Sequence, residues 1–265
     1  MQNKGRLLFR EHDHHYIYQE EGKEERYTSV TTLLNGLHQK KDISKMAKDY
    51  LLKHGNILAI LKDVSAKQKI SLSEVSDLWG SLPNTVDSVL KIWKDINKIS
   101  TDRGSSYHLK KELEAYNEGG KPVINEGEFK IGYGLKDLEG FYPELMVYHP
   151  FYKICGTIDK AYIKDKRFKL GDFKTNKKGL ERKGFKGQRL LTPISHLEDC
   201  NYWVYVLQLS LYAFILEEWG YICDGLEIII VKDVEKDISV TESIPYLKQE
   251  AKSILTYFKE RNYLM

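Results

Sequence analysis

Three segments rich in tyrosine, isoleucine, phenylalanine and valine follow one another with little sequence between them: Phe141–Tyr148, Lys153–Ile163 and Phe168–Lys174. Short turns separate them, at His149-Pro150 and at Lys164-Asp165-Lys166. Connections this short join antiparallel neighbours, and the residue types are those that strands favour. The pattern therefore predicts a three-stranded antiparallel meander.

The segments around this meander predict helices and one further strand. A helix is expected from about residue 106 to residue 116, before the meander. After it come a basic loop (Thr175–His196), a long helix (Leu197–Trp219), a buried strand (Leu226–Val231) and a closing helix (Tyr246–Arg261). The order αβββαβα is that of an α/β protein, with a central mixed sheet flanked by helices.

The first hundred residues differ in character. Arg6–Arg10 and His15–Gln19 predict a hairpin, and Ser29 is a candidate N-cap for a helix over Val30–Leu37. Residues 43–100 have a helical pattern, with Asp42, Ser71 and Asn84 as candidate caps and Pro83 between two helices. We therefore expect a single domain in which residues 1–100 form an N-terminal hairpin and helical subdomain and residues 101–265 form the catalytic core.

Composition excludes several classes of protein. The net charge of the 265 residues is only +3, so a DNA-binding surface would have to arise from local clustering of charge. The cysteines Cys155, Cys200 and Cys223 are odd in number and form no Cys-x-x-Cys pair, which argues against a zinc ribbon or a disulfide framework. With no long apolar run and no signal-peptide pattern, we expect no membrane association and a cytoplasmic location, in a bacterium or a phage-infected host.

The chemistry-bearing segment is Gly156-Thr-Ile-Asp159 followed by Gly171-Asp172-Phe-Lys174-Thr175. Asp172 and Lys174 are two residues apart, so they project from the same face of a strand. A neighbouring antiparallel strand can bring Asp159 beside them. Two carboxylates and an ammonium suit phosphodiester hydrolysis, because the carboxylates hold Mg²⁺ or Mn²⁺ and the lysine orients water or neutralises developing charge.

An isolated Asp-x-Lys is more often a pair of solvent-facing charges at the end of a hairpin, but four further segments agree with the same site. In chain order, the full set is Arg103-Gly-Ser-Ser-Tyr-His108, Pro143-Glu144, Gly156-Thr-Ile-Asp159, Asp172-Phe-Lys174-Thr175 and Gln208-x-x-x-Tyr212. This ordered set resembles the PD-(D/E)XK nucleases, especially the RecB-type nuclease domains and the mitochondrial genome maintenance exonucleases. The fragment Tyr27–Leu34 is similar to the N-terminal segment of the latter group.

The resemblance implies a restriction-endonuclease-like core and assigns roles to individual residues. His108, Asp159 and Asp172 correspond to metal ligands, and Lys174 to the catalytic lysine. The remaining matches complete the expected catalytic set: Glu144, an acidic residue that precedes the Gly-x-x-Asp strand, and Gln208 and Tyr212, which lie near the site.

Each assignment has an alternative. His108 can instead be a surface histidine, Glu144 an exposed strand residue, and the pair at 208 and 212 a polar break in an amphipathic helix. The cysteines do not match the four that hold an iron–sulfur cluster in some RecB-type members, so we expect no such cluster.

The loop after the Asp-x-Lys strand is strongly basic. Because it joins that strand to the helix bearing Gln208, we expect it to follow a DNA backbone, with Phe185 able to stack on a base. The alternative is a solvated flexible loop. The candidate DNA-binding residues are Lys177, Lys178, Lys183, Lys186 and Arg189.

The sequence therefore predicts a Mg²⁺- or Mn²⁺-dependent deoxyribonuclease, an exonuclease acting on DNA ends or single strands. The alternatives are a structure-specific or nicking endonuclease and a non-catalytic DNA-binding accessory protein of replication or recombination; a nuclease acting on RNA is more remote. No phosphate-binding P-loop is present, so a helicase, a single-strand-binding protein or a recombinase is a candidate partner.

Overall fold

A computed structural model of the chain describes residues 5–176 and 179–261. The chain divides into two compact units, Met1–Gln39 with Tyr107–Met265, and Lys40–Ser106. We call them the sheet unit and the helical unit.

The sheet unit is an α/β structure built on a large mixed sheet. Its strands, in chain order, are β1 (Gly5–Arg10), β2 (His15–Glu20), β3 (Lys23–Ser29), β4 (Ile124–Glu126), β5 (Phe129–Ile131), β6 (Gly140–His149), β7 (Ile154–Lys164), β8 (Arg167–Lys174), β9 (Ile222–Asp233) and β10 (Ile238–Ile244).

Helices flank this sheet. Helices α1 (Val30–Asn35) and α6 (Asn201–Glu218) pack against the strands, and α7 (Lys248–Glu260) packs against α6. Helix α6 is apolar nearly all round, which is typical of a helix buried between a sheet and another layer.

The helical unit contains α2 (Ile43–His54), α3 (Ile57–Gln68), α4 (Leu72–Trp79) and the first part of α5 (Val86–Asn117), a helix that continues into the sheet unit. Its core is separate from that of the sheet unit and includes Ile60, Leu61, Trp79 and Ile92. No helix in the described ranges 5–176 and 179–261 is both long and apolar enough to cross a membrane.

The sheet splits at β7. Strand β6 pairs with β7 along its whole length, from Gly140↔Ile163 to His149↔Ile154. On the other edge, parallel β3 pairs only at Ile154 and Cys155, whereas antiparallel β8 pairs only from Lys160 onwards. Between them, residues 156–159 have no strand partner on that edge within the described chain. We call this stretch the fork.

The predicted meander is confirmed, with no strand end shifted by more than one residue, and so is the hairpin β1–β2. Ser29 caps α1 and Ser71 caps α4, each accepting a hydrogen bond from the backbone three residues on. The prediction that Asn84 caps the helix that follows it is wrong, because its Oδ1 accepts a hydrogen bond of 2.7 Å from the backbone N–H of Ile57 instead.

Other boundaries differ from expectation. The helix expected at about 106–116 is the end of a 32-residue helix that begins at Val86, because no proline interrupts that stretch. Strands β3, β4 and β10 were not predicted, since they carry mainly exposed side chains, and β5 was not predicted because it is only three residues long. The N-terminal strands belong to the sheet unit rather than with residues 40–100, because β3 pairs with β7 and β1 with β5.

One histidine is buried in the sheet unit without a charged partner. His149, the last residue of β6, is only 4% exposed, and its ring lies near those of Tyr152 and Phe214. Its Nε2 has no hydrogen-bond partner among the described residues. Burial lowers the pKa of His149 from 6.5 to about 4, because a charged imidazolium would lose its hydration there.

Acid should therefore destabilise the protein through His149. The unfolded chain takes up this proton near pH 6.5 and the folded chain only near about pH 4, so the free energy of unfolding falls as the pH drops between these values. The difference corresponds to about 3 kcal/mol. Urea unfolding at several pH values should show a weaker pH dependence for His149→Gln than for the wild type. His12→Gln, at a side chain 66% exposed, is the control. Identical pH profiles for His149→Gln and the wild type would contradict this account.

Candidate metal and catalytic site

Asp159 lies at the fork, where its side chain takes the place of a backbone hydrogen bond between β7 and β8. Its Oδ2 accepts a hydrogen bond of 2.7 Å from the backbone N–H of Phe173 on β8. The side chain thus spans the gap that opens between β7 and β8 beyond the last paired residues. As a consequence, Asp159 is fixed beside the segment that carries Asp172 and Lys174.

Glu144 faces Asp159 across the β6–β7 pair. The register Pro143↔Lys160 and Leu145↔Ile158 places it opposite Asp159, and its φ of 56° is left-handed. A non-glycine residue in this conformation is strained by about 1–3 kcal/mol, so the surrounding structure must hold it there. Such strain is concentrated at functional sites in proteins.

His108 completes a group of three candidate metal ligands. It lies on α5, and its Nδ1 is 3.3 Å from Asp159 Oδ2. One ligand atom from each of His108, Glu144 and Asp159 lies within 4.8 Å of the other two. The ring of Phe173 meets the His108 ring edge to face at 6.1 Å, which restricts the orientation of the imidazole. A nitrogen and two carboxylates at this spacing suit a divalent cation such as Mn²⁺.

Asp172 and Lys174 form a second, buried part of the site on β8. Lys174 Nζ lies 2.5 Å from Asp172 Oδ2, and the Asp172 residue is only 2% exposed. The side chain of Gln208 on α6 bridges the two. Its Oε1 accepts from Lys174 Nζ at 3.4 Å and its Nε2 donates to Asp172 Oδ1 at 3.3 Å. The amide therefore sets the separation of the two charges.

Helix α6 presents a stripe of polar side chains to the site: Asn201, Tyr205, Gln208 and Tyr212, which share one helix face. Tyr212 packs directly on the strand that carries Asp159. A Cβ atom at Gly156 would lie 2.6 Å from the Tyr212 ring and hydroxyl, so only glycine fits there. This contact explains the glycine of the Gly-Thr-Ile-Asp segment.

The electrostatics of the site show an excess of negative charge. Burial and the charge of Asp159 raise the pKa of Glu144 to about 8. Burial raises the pKa of Asp172 to about 6 against the opposing charge of Lys174. Burial lowers the pKa of His108, but the contact with Asp159 and the nearby carboxylates outweigh it and raise the value to about 9. Closely packed carboxylates take up protons when no other cation neutralises them, so the donor set fits a divalent metal ion.

Lys174 remains charged in this environment. Burial alone would lower its pKa, but Asp172 and Asp159 more than compensate, and the net effect is to raise it. A cavity of about 280 Å³ opens beside Asp159 and Phe173, and Asp159 is the one carboxylate of the candidate site that lines it.

The set of candidate metal ligands in the structure differs by one residue from the set predicted from the sequence. Sequence reasoning placed His108, Asp159 and Asp172 on the metal, whereas the compact ligand group contains Glu144 rather than Asp172. Asp172 instead approaches Lys174. Tyr205 was missed, although it could have been found by extending the Gln208 face one helical turn towards the N-terminus. Gln208 and Tyr212 lie where the resemblance implies, beside the carboxylates.

The basic loop is held to the rest of the sheet unit by backbone contacts. Gly184 N donates to Glu198 Oε2 at 2.6 Å, and Glu181 N donates to Asn201 Oδ1 at 2.7 Å. Of the candidate DNA-binding residues, Lys177 and Lys178 lie outside the described residues, and Lys183, Lys186 and Arg189 are exposed. Phe185 is 65% exposed.

Two arginines in this loop have partners within the protein. Arg182 stacks on Tyr202 and forms an ion pair with Glu242, so its charge is used in contacts within the protein. Arg189 donates to the backbone oxygen of His196. Within the described ranges, Lys183 and Lys186 form no ion pair, which leaves their charges available to a ligand.

No family model matches this sequence, and no curated protein sequence is significantly similar to it. The functional argument therefore rests on the geometry of the site.

The ligand group can be tested by metal binding. Because Glu144 belongs to the three-residue group, Glu144→Gln should weaken Mn²⁺ binding by at least about tenfold, as the loss of one ligand charge requires. Glu260→Gln, at the exposed last residue of α7, should leave it unchanged. Titration followed by electron paramagnetic resonance measures the free ion. Wild-type affinity in Glu144→Gln would remove Glu144 from the ligand set.

Proposed function

We propose that this protein is a metal-dependent deoxyribonuclease with a restriction-endonuclease-like core of the PD-(D/E)XK type. The observation that carries the proposal is the convergence, at the fork, of a three-residue ligand group with a buried Asp172–Lys174 pair. Ordinary surface charges at a hairpin end would not be buried, and they would not be held by a histidine, a strained glutamate and a glutamine from three other elements.

The residues divide into two roles. His108, Glu144 and Asp159 would hold a Mg²⁺ or Mn²⁺ ion, with Asp172 as a further candidate ligand. When bound, such an ion polarises a phosphodiester and lowers the pKa of a coordinated water. Lys174 supplies a fixed positive charge beside this position, where it can orient the attacking water or stabilise the extra negative charge of the transition state.

Gln208 keeps this lysine in place. By donating to Asp172 and accepting from Lys174, its side chain limits the movement of both groups. Positioning of this kind matters because a displacement of about 1 Å can cost a factor of about a hundred in rate.

DNA would reach the site along the basic loop. Among the described residues Lys183 and Lys186 form no ion pair, and Lys186 Nζ lies 5.5 Å from the centroid of the exposed Phe185 ring, a combination that suits a phosphate backbone and an unstacked base. This arrangement supports an exonuclease acting on ends or single strands, with a helicase, a single-strand-binding protein or a recombinase as a candidate partner. A cytoplasmic location agrees with three free cysteines.

One cleavage experiment tests the function and the way the DNA is cut. We expect degradation of end-labelled linear single- or double-stranded DNA with Mn²⁺, no degradation with chelator, and intact covalently closed circles. Nicked circles would instead indicate an endonuclease, and metal-dependent binding without cleavage would indicate an accessory protein. Parallel assays on RNA establish the substrate class.

Asp172→Ala should lower cleavage by at least about 100-fold without unfolding the protein, because it removes stabilisation of several kcal/mol from the transition state. The substitution removes the repulsion between Asp172 and Asp159 but leaves the buried Lys174 without its ion-pair partner, so the fold of the variant is verified by circular dichroism before its rate is measured. The control is Asp102→Ala, at a side chain that is 61% exposed. Wild-type rates in a purified, folded Asp172→Ala variant would refute the assignment of the site.

The basic loop has its own test. Combined replacement of Lys183, Lys186 and Arg189 by glutamine should flatten the dependence of log affinity on log salt by up to about three units, because each lost phosphate contact removes about one. Turnover at saturating DNA should fall much less, since the metal ligands and Lys174 are untouched.

Binding is measured by fluorescence anisotropy in Ca²⁺, at three salt concentrations. A second triple variant removes the same charge from exposed positions outside the loop, at Lys23, Arg26 and Lys136. Equal salt slopes for the loop variant and the wild type would exclude the loop from DNA binding.

A further inference from the structure

Tyr205 is the one member of the α6 polar stripe between the loop contact at Asn201 and the Gln208 amide. It is half-buried and packs against the main core, and its ring also lies beside the Lys174 ammonium. The distance from Lys174 Nζ to the ring centroid is 4.4 Å. That distance is well inside the range in which an aromatic face attracts a cation.

Lys174 is thus held from three directions. Asp172 Oδ2 is 2.5 Å from its Nζ, Gln208 Oε1 is 3.4 Å away, and the Tyr205 ring covers a third side. An ammonium has three N–H donors. Gln208 Oε1 accepts a hydrogen bond from one of them, whereas Asp172 Oδ2 contacts the ammonium as an ion pair and has no hydrogen-bond partner among the described residues. The aromatic face attracts the charge but has no strong acceptor, so an N–H of Lys174 remains available to a group in the site.

The ring itself is fixed from the other end. Tyr205 Oη donates a hydrogen bond of 2.9 Å to Oδ1 of Asn176, two residues beyond Lys174. The tyrosine therefore touches both the functional end of the lysine and the backbone segment that follows it. A side chain that merely filled space on α6 would need neither contact.

From these contacts we propose that Tyr205 is a positioning residue for Lys174: its ring face holds the ammonium between Asp172 and Gln208 and leaves one N–H directed to the reacting phosphodiester or its attacking water. The inference rests on the proposed nuclease function. It also makes the ring, and not the hydroxyl, the feature that matters for the rate.

Two substitutions separate ring from hydroxyl. Tyr205→Leu removes the aromatic face and should lower kcat by about 10-fold to 30-fold, the range expected for a desolvated cation–π contact. Tyr205→Phe keeps the face and loses only the contact with Asn176, so its kcat should stay within about threefold of wild type. KM for DNA should be nearly unchanged in both, because the contact acts on the lysine and not on the substrate.

A coupling experiment tests whether Tyr205 acts through Lys174. In a Lys174→Gln background, Tyr205→Leu should cause no further loss of the residual cleavage measured with excess enzyme, since the contact is already gone. NMR gives a readout without activity: the ε-methylene protons of Lys174 should be shifted upfield by the ring in wild type and in Tyr205→Phe, but not in Tyr205→Leu.

Each contrary result has a definite meaning. Equal losses in Tyr205→Phe and Tyr205→Leu, or none in either, would refute the role of the ring, and so would a further loss in the Lys174→Gln background. A raised KM at unchanged kcat would show that Tyr205 stacks on a base instead. If wild-type protein does not cleave nucleic acid, the proposed function fails, while the NMR shift still reports whether the contact exists.

Discussion

The hydrogen bond from the Phe173 backbone to the Asp159 carboxylate holds the two halves of the candidate site together. Strands β7 and β8 pair only from Lys160 onwards, and β3 pairs with the other end of the same edge, so within the described chain the fork has no strand partner on that edge. A buried, unpaired backbone group is costly, and a carboxylate is a strong acceptor for it. The same contact that satisfies β8 therefore fixes a candidate metal ligand within reach of Asp172 and Lys174.

As a result, several carboxylates of the candidate site are close together and largely buried from solvent. Glu144 and Asp172 both have raised pKa values because their charged forms lose hydration, and in each case the charge of Asp159 adds to the effect. Glu144 also keeps a left-handed backbone in the middle of a strand. Neither feature favours folding, and both are expected where residues are arranged as candidate ligands for a cation.

Helix α6 supports the residues of the candidate site. Most of its surface is buried against the sheet and α7, which makes it a rigid support. Its one polar stripe then reaches three different elements: Asn201 holds the basic loop, Tyr205 and Gln208 hold the lysine, and Tyr212 packs on Gly156. A single helix thereby connects the candidate DNA-contacting loop to the strands that carry Asp159, Asp172 and Lys174.

The sequence alone determined the meander, the hairpin, α6 and the proximity of Asp159 to Asp172 and Lys174, because strand alternation, short turns and helical spacing are local properties. It could not determine strands β3 and β10, whose side chains are mainly exposed. Nor could it place Glu144 in the ligand group or Tyr205 on Lys174. Those contacts depend on a left-handed residue in β6 and on the packing of α6 across the fork. Both are set by long-range pairing, which no local pattern records.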